Sequence, residues 1–238
     1  MLVDIRKVRS YVMNRILIID DDKELCMLIK RSVCAENIEA DICNTGREGI
    51  QQLKEQEYQL VILDVMMPGM DGFQTCDAIR KDSNVPVLFL TAKSAENDRV
   101  SAYSSGGDDF LSKPFSSVEL LAKVSSLLRR YKEYRGKPEE ALAVENLEVD
   151  FSTHKVTSSG KPVALTDTEY AILAYLLQNR GRTVTAVELY EAVWNEKYLA
   201  GSSNTVMVHV LNLRRKIEEN SSSPKIVRTV WGKGYQID

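Results

Sequence analysis

The sequence predicts an α/β protein: a doubly wound, five-stranded parallel sheet over residues 13–130, then a smaller α+β unit over residues 142–238. Three observations lead there. In the first half, short apolar runs of strand length alternate with helical patterns, as in a sheet covered by helices on both faces. One such run, Leu60-Val61-Ile62-Leu63, is unbroken, so it reads as a strand buried on both sides. Beyond Glu140 the order changes to short β-like runs, then helices, then a glycine-containing hairpin signal.

Arg15 to Ile19 is the first strand, and it closes on Asp20-Asp21-Asp22. Lys23 to Cys34 reads as an amphipathic helix with Leu25, Leu28, Ile29 and Val33 on one face. A strand over Ile38–Cys43 and a helix over Gly46–Gln56 follow. After the Leu60–Leu63 strand and Asp64, Pro68-Gly69 and Asp71-Gly72 force a turn into a helix from about Phe73 to Lys81. Pro86 to Leu90 is a fourth strand ending at Thr91, then comes a helix from about Glu96 to Ser104. Phe110-Leu111 is a short fifth strand ending at Lys113-Pro114-Phe115, and Val118 to Arg130 is the last helix of this half. Residues 131–141, polar and containing Gly136 and Pro138, read as a linker. Residues 1–12 show no period and read as an extension before a start at Met13.

In the second half, Val144 to Leu165 predicts a small antiparallel sheet. Thr166 and Glu169 form a capping box for a helix to about Asn179. Thr185 caps a second helix through about Trp194, and a third runs from about Asn204 to Glu219. Ile226–Val230 and Tyr235–Ile237 flank Trp231-Gly232-Lys233-Gly234 as a hairpin.

Of 238 residues, 44% are hydrophobic and 27% charged, the balance of a globular protein. No apolar run is long enough to span a bilayer, and the N-terminus lacks a signal-peptide core. Cys26, Cys34, Cys43 and Cys76 show no C-x-x-C spacing, so they read as reduced thiols of a cytoplasmic protein. With His154 and His209 the only histidines, zinc is not expected. Residues 13–130 carry 14 Lys/Arg against 19 Asp/Glu, whereas residues 203–238 carry six against three. An acidic front and a basic tail suggest different partners for the two halves.

Ligands of open α/β sheets bind beyond the carboxyl ends of the strands. Asp20, Asp21, Asp64, Thr91 and Lys113 all stand at such ends. On its own stretch Asp64 reads equally as a turn cap, and Asp20-Asp21-Asp22 as a helix N-cap. Together they predict a carboxylate cluster that needs a hard divalent cation, Mg²⁺. This half resembles a response-regulator receiver domain, CheY-like or flavodoxin-like in fold. The matching pieces are Ile19-Asp20-Asp21, Leu63-Asp64-Val65-Met66-Met67-Pro68-Gly69-Met70-Asp71-Gly72, Thr91-Ala92 and Lys113-Pro114-Phe115. The resemblance implies that Asp64 accepts a phosphoryl group from a sensor histidine kinase. It implies Mg²⁺ on Asp20, Asp21, Asp64 and the Met66 carbonyl, phosphoryl contacts from Thr91 and Lys113, and Phe110 as the aromatic switch. The protein is then no enzyme beyond catalysing its own phosphorylation and dephosphorylation.

On the third helix of the second half, Val206, Val210, Leu213 and Ile217 share one face and predict the core. Thr205, Val208, His209, Asn212, Arg215 and Lys216 face elsewhere, small and polar first, cationic last. That pattern suits a major groove, and equally an ordinary surface helix with cations near its C-terminus. The order of elements resembles the winged helix-turn-helix of OmpR/PhoB-type regulators. Leu165-Thr166-Asp167-Thr168-Glu169-Tyr170, Val193-Trp194, Leu213-Arg214-Arg215-Lys216 and Val227-Arg228-Thr229-Val230-Trp231-Gly232-Lys233-Gly234-Tyr235 carry it. It implies base reading by Thr205, Val208, His209 and Asn212, and phosphate contacts from Arg214, Arg215, Lys216 and Thr229. Where many relatives have a minor-groove arginine this chain has Trp231, which leaves Lys233 as the wing charge. Trp194-Asn195-Glu196-Lys197-Tyr198, Asn204-Thr205-Val206-Met207-Val208-His209 and the wing most resemble the VanR regulators of glycopeptide resistance.

The resemblance implies a transcription regulator that dimerises on phosphorylation and engages promoter DNA and RNA polymerase, with no membrane partner. The dimer face expected is the 96–104 helix, the fifth strand and the 118–130 helix, with Arg99, Asp108, Asp109, Glu119 and Lys123. Arg99–Glu119 and Asp109–Lys123 are the expected cross-subunit pairs. Two other readings stay open at this stage. One is a Mg²⁺-dependent phosphohydrolase, disfavoured because Met66 stands where an acid/base carboxylate is needed. The other is a DNA-binding regulator independent of phosphorylation.

Overall fold

The five strands of the first half form one parallel sheet in a computed structural model, which describes residues 14–92, 106–133, 142–151, 154–198 and 202–238. They are β1 (Asn14–Ile19), β2 (Ile38–Cys43), β3 (Leu60–Asp64), β4 (Val87–Ala92) and β5 (Asp109–Lys113), in the order β2-β1-β3-β4-β5. The strand order reverses between β1 and β3, so their carboxyl ends open a crevice. The register Ile19↔Leu63, Asp64↔Leu90 and Ala92↔Lys113 brings Asp20, Asp64, Thr91 and Lys113 to one edge.

Period-two alternation divides the sheet between two cores. Ile16, Ile18, Leu88 and Leu90 point towards α1 (Lys23–Cys34) and α4 (Ser117–Glu133), meeting Ile29, Leu120 and Val124. Leu17, Ile19, Leu63 and Phe89 point towards α2 (Gly46–Glu55) and α3 (Gly72–Ile79), meeting Cys76 and Ile79. β5 is longer than expected, because Asp109 and Lys113 find ladder partners in Leu88 and Ala92. α4 runs to Glu133, three residues into the stretch expected as linker. The expected 96–104 helix with Arg99, residues 1–12 and residues 134–141 lie outside the described residues.

In the second half β6 (Leu142–Val144), β7 (Leu147–Asp150), β8 (Lys155–Ser158) and β9 (Lys161–Pro162) make the expected antiparallel sheet. Three helices follow, α5 (Asp167–Gln178), α6 (Ala186–Trp194) and α7 (Ser202–Ile217), then the hairpin β10 (Arg228–Val230) and β11 (Gly234–Gln236). The Thr166–Glu169 capping box starts α5 as expected. Val206, Val210, Leu213 and Ile217 of α7 enter one core with Ile172, Leu173 and Trp194.

Gly72 folds the loop after β3 back onto its strand, where a Cβ would lie 2.2 Å from the Asp64 carbonyl oxygen. The nearest atoms are all main chain of Asp64 and Val65, which cannot swing aside as a flexible side chain could. Gly72→Ala is expected to lower unfolding free energy by about 1–3 kcal/mol, as overpacking does. A urea melt of the variant against the parent measures it.

Candidate functional site

Asp20 and Asp64 are buried at the sheet edge and Asp21 is exposed beside them. One carboxylate oxygen from each lies within 4.8 Å of the others. Lys113 Nζ, from the end of β5, donates to Asp64 Oδ1 at 2.7 Å and to Asp20 Oδ2 at 2.9 Å. Burial raises the pKa of Asp64, the Lys113 hydrogen bond pulls it back, and Asp20 pushes it up again. Burial works against the charge of Lys113, but its bonds to Asp64 and Asp20 prevail and hold it above the usual lysine value. The ammonium thus stays charged, bonded to Asp64 and Asp20.

Local hydrogen bonds fix the cluster. Asp20 Oδ1 accepts from Asp22 N at 2.9 Å, and the Asp20 carbonyl accepts from Asn44 Nδ2 at 3.0 Å. Asp22 turns away and caps α1 through Glu24 N and Leu25 N. Cys26 Sγ donates to the Asp20 carbonyl at 3.4 Å, and burial first, then Asp20 and Asp22, push that thiol up to about 12. Met66 sits two residues past Asp64 with its side chain in solvent. Thr91 is buried at the end of β4 opposite Ser112. Phe110 is half-buried on β5, with Lys123 Nζ 5.9 Å from its ring centroid. Carboxylate oxygens gathered this closely fit a hard cation bound by oxygen.

α7 is buried on two sides. Besides its core stripe, Thr205, Val208, His209 and Asn212 form a second stripe, roughly 120° round the helix at 100° per residue, and each is only 2–8% exposed. The His209 ring lies 5.4 Å from that of Trp194. Ser203, Asn204, Met207, Leu211 and Arg215 make the solvent-facing strip instead. So the residues expected to face a groove are not on the surface of this conformation.

The two halves are closed on each other. Ser126 Oγ on α4 donates to the Trp194 carbonyl at 2.8 Å, at the end of α6. Lys123 Nζ donates to Glu196 Oε1 at 3.0 Å. Thr168 N, in the first turn of α5, donates to Asp108 Oδ1 at 3.2 Å, while Asp108 Oδ2 accepts from Arg80 Nη2 and Val87 N. Lys123 also donates to Asp109 Oδ2 at 2.9 Å. Burial opposes its charge, yet Asp109 and Glu196 hold it well above the ordinary lysine value. The Asp109–Lys123 pair expected across a two-fold axis is therefore a pair within one chain, because both side chains project from adjacent elements of the same face. Glu119 is exposed and accepts from Ser116 N at 2.8 Å, and Arg99 lies outside the described residues.

The cations expected on phosphates divide three ways. Arg215 is exposed. Arg214 donates to the Val227 carbonyl and to Thr229 Oγ1, both at 2.8 Å, and lies over the Tyr235 ring, tying α7 to the hairpin. Lys216 Nζ donates to Glu169 Oε2 at 2.6 Å. Thr229 and Lys233 are exposed on the hairpin. Glu169 is nearly inaccessible, and burial raises its pKa while Lys216 counteracts. Sequence reasoning gave no part to Glu196, Ser126, Thr168 or the Glu169–Lys216 pair. Only the Thr166–Glu169 box and the Trp194-Asn195-Glu196 string signalled those segments.

Lys216 is 34% exposed and Glu169 is 2% exposed, so removing the lysine strands a buried carboxylate. Lys216→Ala is expected to cost about 3 kcal/mol, the low end for breaking a buried pair because the lysine is partly solvated. Because the raised pKa of Glu169 favours its protonated form in the fold, the loss should shrink as pH falls through that pKa. Glu169→Gln added to Lys216→Ala should recover most of it. Urea melts at pH 7 and pH 5 measure both effects.

Comparison with known proteins agrees with this layout. The family described as response regulator receiver domain matches residues 16–125, and the one described as transcriptional regulatory protein, C terminal, matches residues 160–237. The chain is 41% identical over 226 residues to the uncharacterized transcriptional regulatory protein YrkP of Bacillus subtilis, covering 94% of this chain and 97% of that one. It is 35% identical to the regulatory protein VanR of Enterococcus faecium, over 94% and 99% of the two chains. It is 36% identical to the DNA-binding response regulator MtrA of Mycolicibacterium smegmatis, over 94% and 96%. Among solved structures, the response regulator DrrB of Thermotoga maritima, an OmpR/PhoB homologue, superposes with a TM-score of 0.51 at 27% identity, over 94% and 99%. A mutant of RitR superposes with a TM-score of 0.79 at 22% identity, covering 94% and 99%, a likeness of fold alone.

Proposed function

The chain belongs to the response-regulator family, a receiver domain joined to a DNA-binding transcriptional regulatory domain and not an enzyme, and on that premise we propose that a phosphoryl group on Asp64 controls its DNA binding. Family membership sets aside the phosphohydrolase reading. The observation that carries the proposal is Lys113, held charged between Asp64 and Asp20 at 2.7 and 2.9 Å.

The chemistry follows from these residues. An Asp64 carboxylate oxygen attacks phosphorus, and the P–N bond of the kinase's phosphohistidine breaks, its electron pair leaving with the imidazole nitrogen. Asp20, Asp21, Asp64 and the Met66 carbonyl would hold Mg²⁺, which when bound neutralises charge on the phosphoryl oxygens. Lys113 exchanges its bond to Asp64 for one to a phosphoryl oxygen. Thr91, at the end of the neighbouring strand, donates its hydroxyl to another.

Control then passes along β5. Lys113 ends that strand, and Asp108 and Asp109 stand at its start, in contact with Thr168 and Lys123. In the closed arrangement the reading stripe of α7 is buried, and Asp108, Asp109 and Lys123 are committed within the chain. We read closure as the resting state. Phosphorylation favours an open state, freeing the same receiver face for a homodimer and the second domain for promoter DNA. The two uses of that face exclude each other. The promoter places the protein in the cytoplasm, with RNA polymerase as a further partner. Glycopeptide-resistance promoters are the first to test, given the VanR relatives.

Asp64→Asn keeps the shape and removes the nucleophile. It should take up no label from acetyl phosphate with Mg²⁺, and its DNA affinity should not respond to that treatment. Labelling at the parent rate overturns Asp64 as the acceptor. An unlabelled parent that binds DNA at full affinity supports regulation independent of phosphorylation.

A further inference from the structure

A cavity of about 370 Å³ opens at the amino-terminal edge of the parallel sheet, the edge opposite Asp64. A second, of about 330 Å³, adjoins it, and Leu53, Asp82 and Ser83 line both. Ile50, Ala78 and Ile79 give the second an apolar floor between α2 and α3. The rim of the first is acidic. Glu57 and Asp82 line it from the receiver, and Asp167, the first residue of α5, lines it from the second domain. Among the described residues no Lys or Arg lines it. The cavity therefore stands at the junction of the two domains, with an apolar base and a negative margin.

The start of β1 delivers a segment to this place. Arg15 N donates to Gln59 Oε1 at 2.6 Å, and the Arg15 carbonyl accepts from Gln59 N at 2.9 Å. The parallel register Ile16↔Leu60 sets Asn14 level with Tyr58, which lines the first cavity. Chain upstream of Asn14 thus leaves the sheet at the cavity mouth. Residues 1–12, outside the described residues, carry Arg6, Lys7 and Arg9 against Asp4 alone. Their apolar members are Leu2, Val3, Ile5, Val8, Tyr11 and Val12. Cations and apolar groups in one short segment complement an acidic rim over an apolar floor. Twelve extended residues span up to roughly 40 Å, so reach is not limiting for a cavity that begins at Tyr58. Tethering gives such a segment an effective concentration of about millimolar, so a weak intrinsic affinity suffices. The receiver family match begins at residue 16 and assigns these residues no role.

We propose that the two adjoining cavities are the seat of residues 1–12 of the same chain. The apolar side chains cover the floor between α2 and α3, and the cations meet Glu57, Asp82 and Asp167. Because Asp167 belongs to the second domain, the seated segment bridges the junction and holds the domains together. This bridge goes beyond phosphoryl control and needs nothing of Asp64. Its ionic part weakens as salt screens the exposed charges.

Amide hydrogen exchange of the untreated protein, followed by NMR, tests the seat. The full chain is compared with a chain beginning at Met13. The Thr168 amide reports the junction, because it donates to Asp108 across it. Exchange slows where local opening is suppressed. Removing residues 1–12 should speed exchange severalfold at residues 53–58, at residues 82–85 and at Thr168. A full chain with Arg6→Glu, Lys7→Glu and Arg9→Glu should behave like the shortened one. It carries the comparison alone if the shortened chain does not fold. Adding Glu57→Lys and Asp82→Lys to it should recover part of the protection. Equal exchange in the parent and in both altered chains overturns the inference. A response at residues 53–58 and 82–85 with Thr168 unmoved overturns the bridge to the second domain. Protection that rises with protein concentration overturns the same-chain seat and identifies a second copy as the source of the occupant.

Discussion

Three carboxylates at one edge of a parallel sheet repel each other strongly, and Lys113 is the cation that lets them stand there. It comes from a different strand from Asp20 and Asp64, so the cluster exists only when β1, β3 and β5 are in register. Burial strengthens both attraction and repulsion by lowering the local dielectric. On the proposed mechanism, a phosphoryl group on Asp64 changes that balance and Lys113 repartitions; Lys113 sits on the strand beside whose other end Asp108 touches the second domain.

That other end is also built from buried charge. Asp108 is shared among Arg80, the Val87 amide and the Thr168 amide, and Lys123 between Asp109 and Glu196. Each group has a partner in its own domain and one in the other. Opening the domains would thus leave Asp108, Lys123 and Glu196 each with a partner in its own domain, which on the proposed mechanism keeps the cost of opening low. A fully apolar contact of the same size would have no such fallback.

The receiver was largely legible in the sequence because apolar runs fix where strands end, and chemistry in this fold gathers at strand ends. Asp20, Asp64, Thr91 and Lys113 could be placed together without any coordinates. The domain contact was not legible. Glu196 and Thr168 are ordinary surface residues by local pattern, Asp108 and Lys123 were expected at a contact between two chains, and only docking over long sequence separations gives them partners in the second domain. Lys216 illustrates the same point. Helical period alone puts it among outward-facing cations, but Glu169, 47 residues earlier, takes it as a buried partner. The α7 period correctly separates the core stripe from the rest, yet it cannot tell a free stripe from one that is covered.

The central claim is that the unmodified protein is closed and that phosphorylation opens it. Cys34 is the exposed cysteine among the described residues, since Cys26, Cys43 and Cys76 are buried. A spin label there and a second on a cysteine replacing Ser222, in the other domain, report the separation directly. Pulsed electron resonance should give one narrow distance for untreated protein and a broad, longer distribution after beryllofluoride. The same narrow distance in both states, with DNA affinity nonetheless raised by the treatment, would contradict the account.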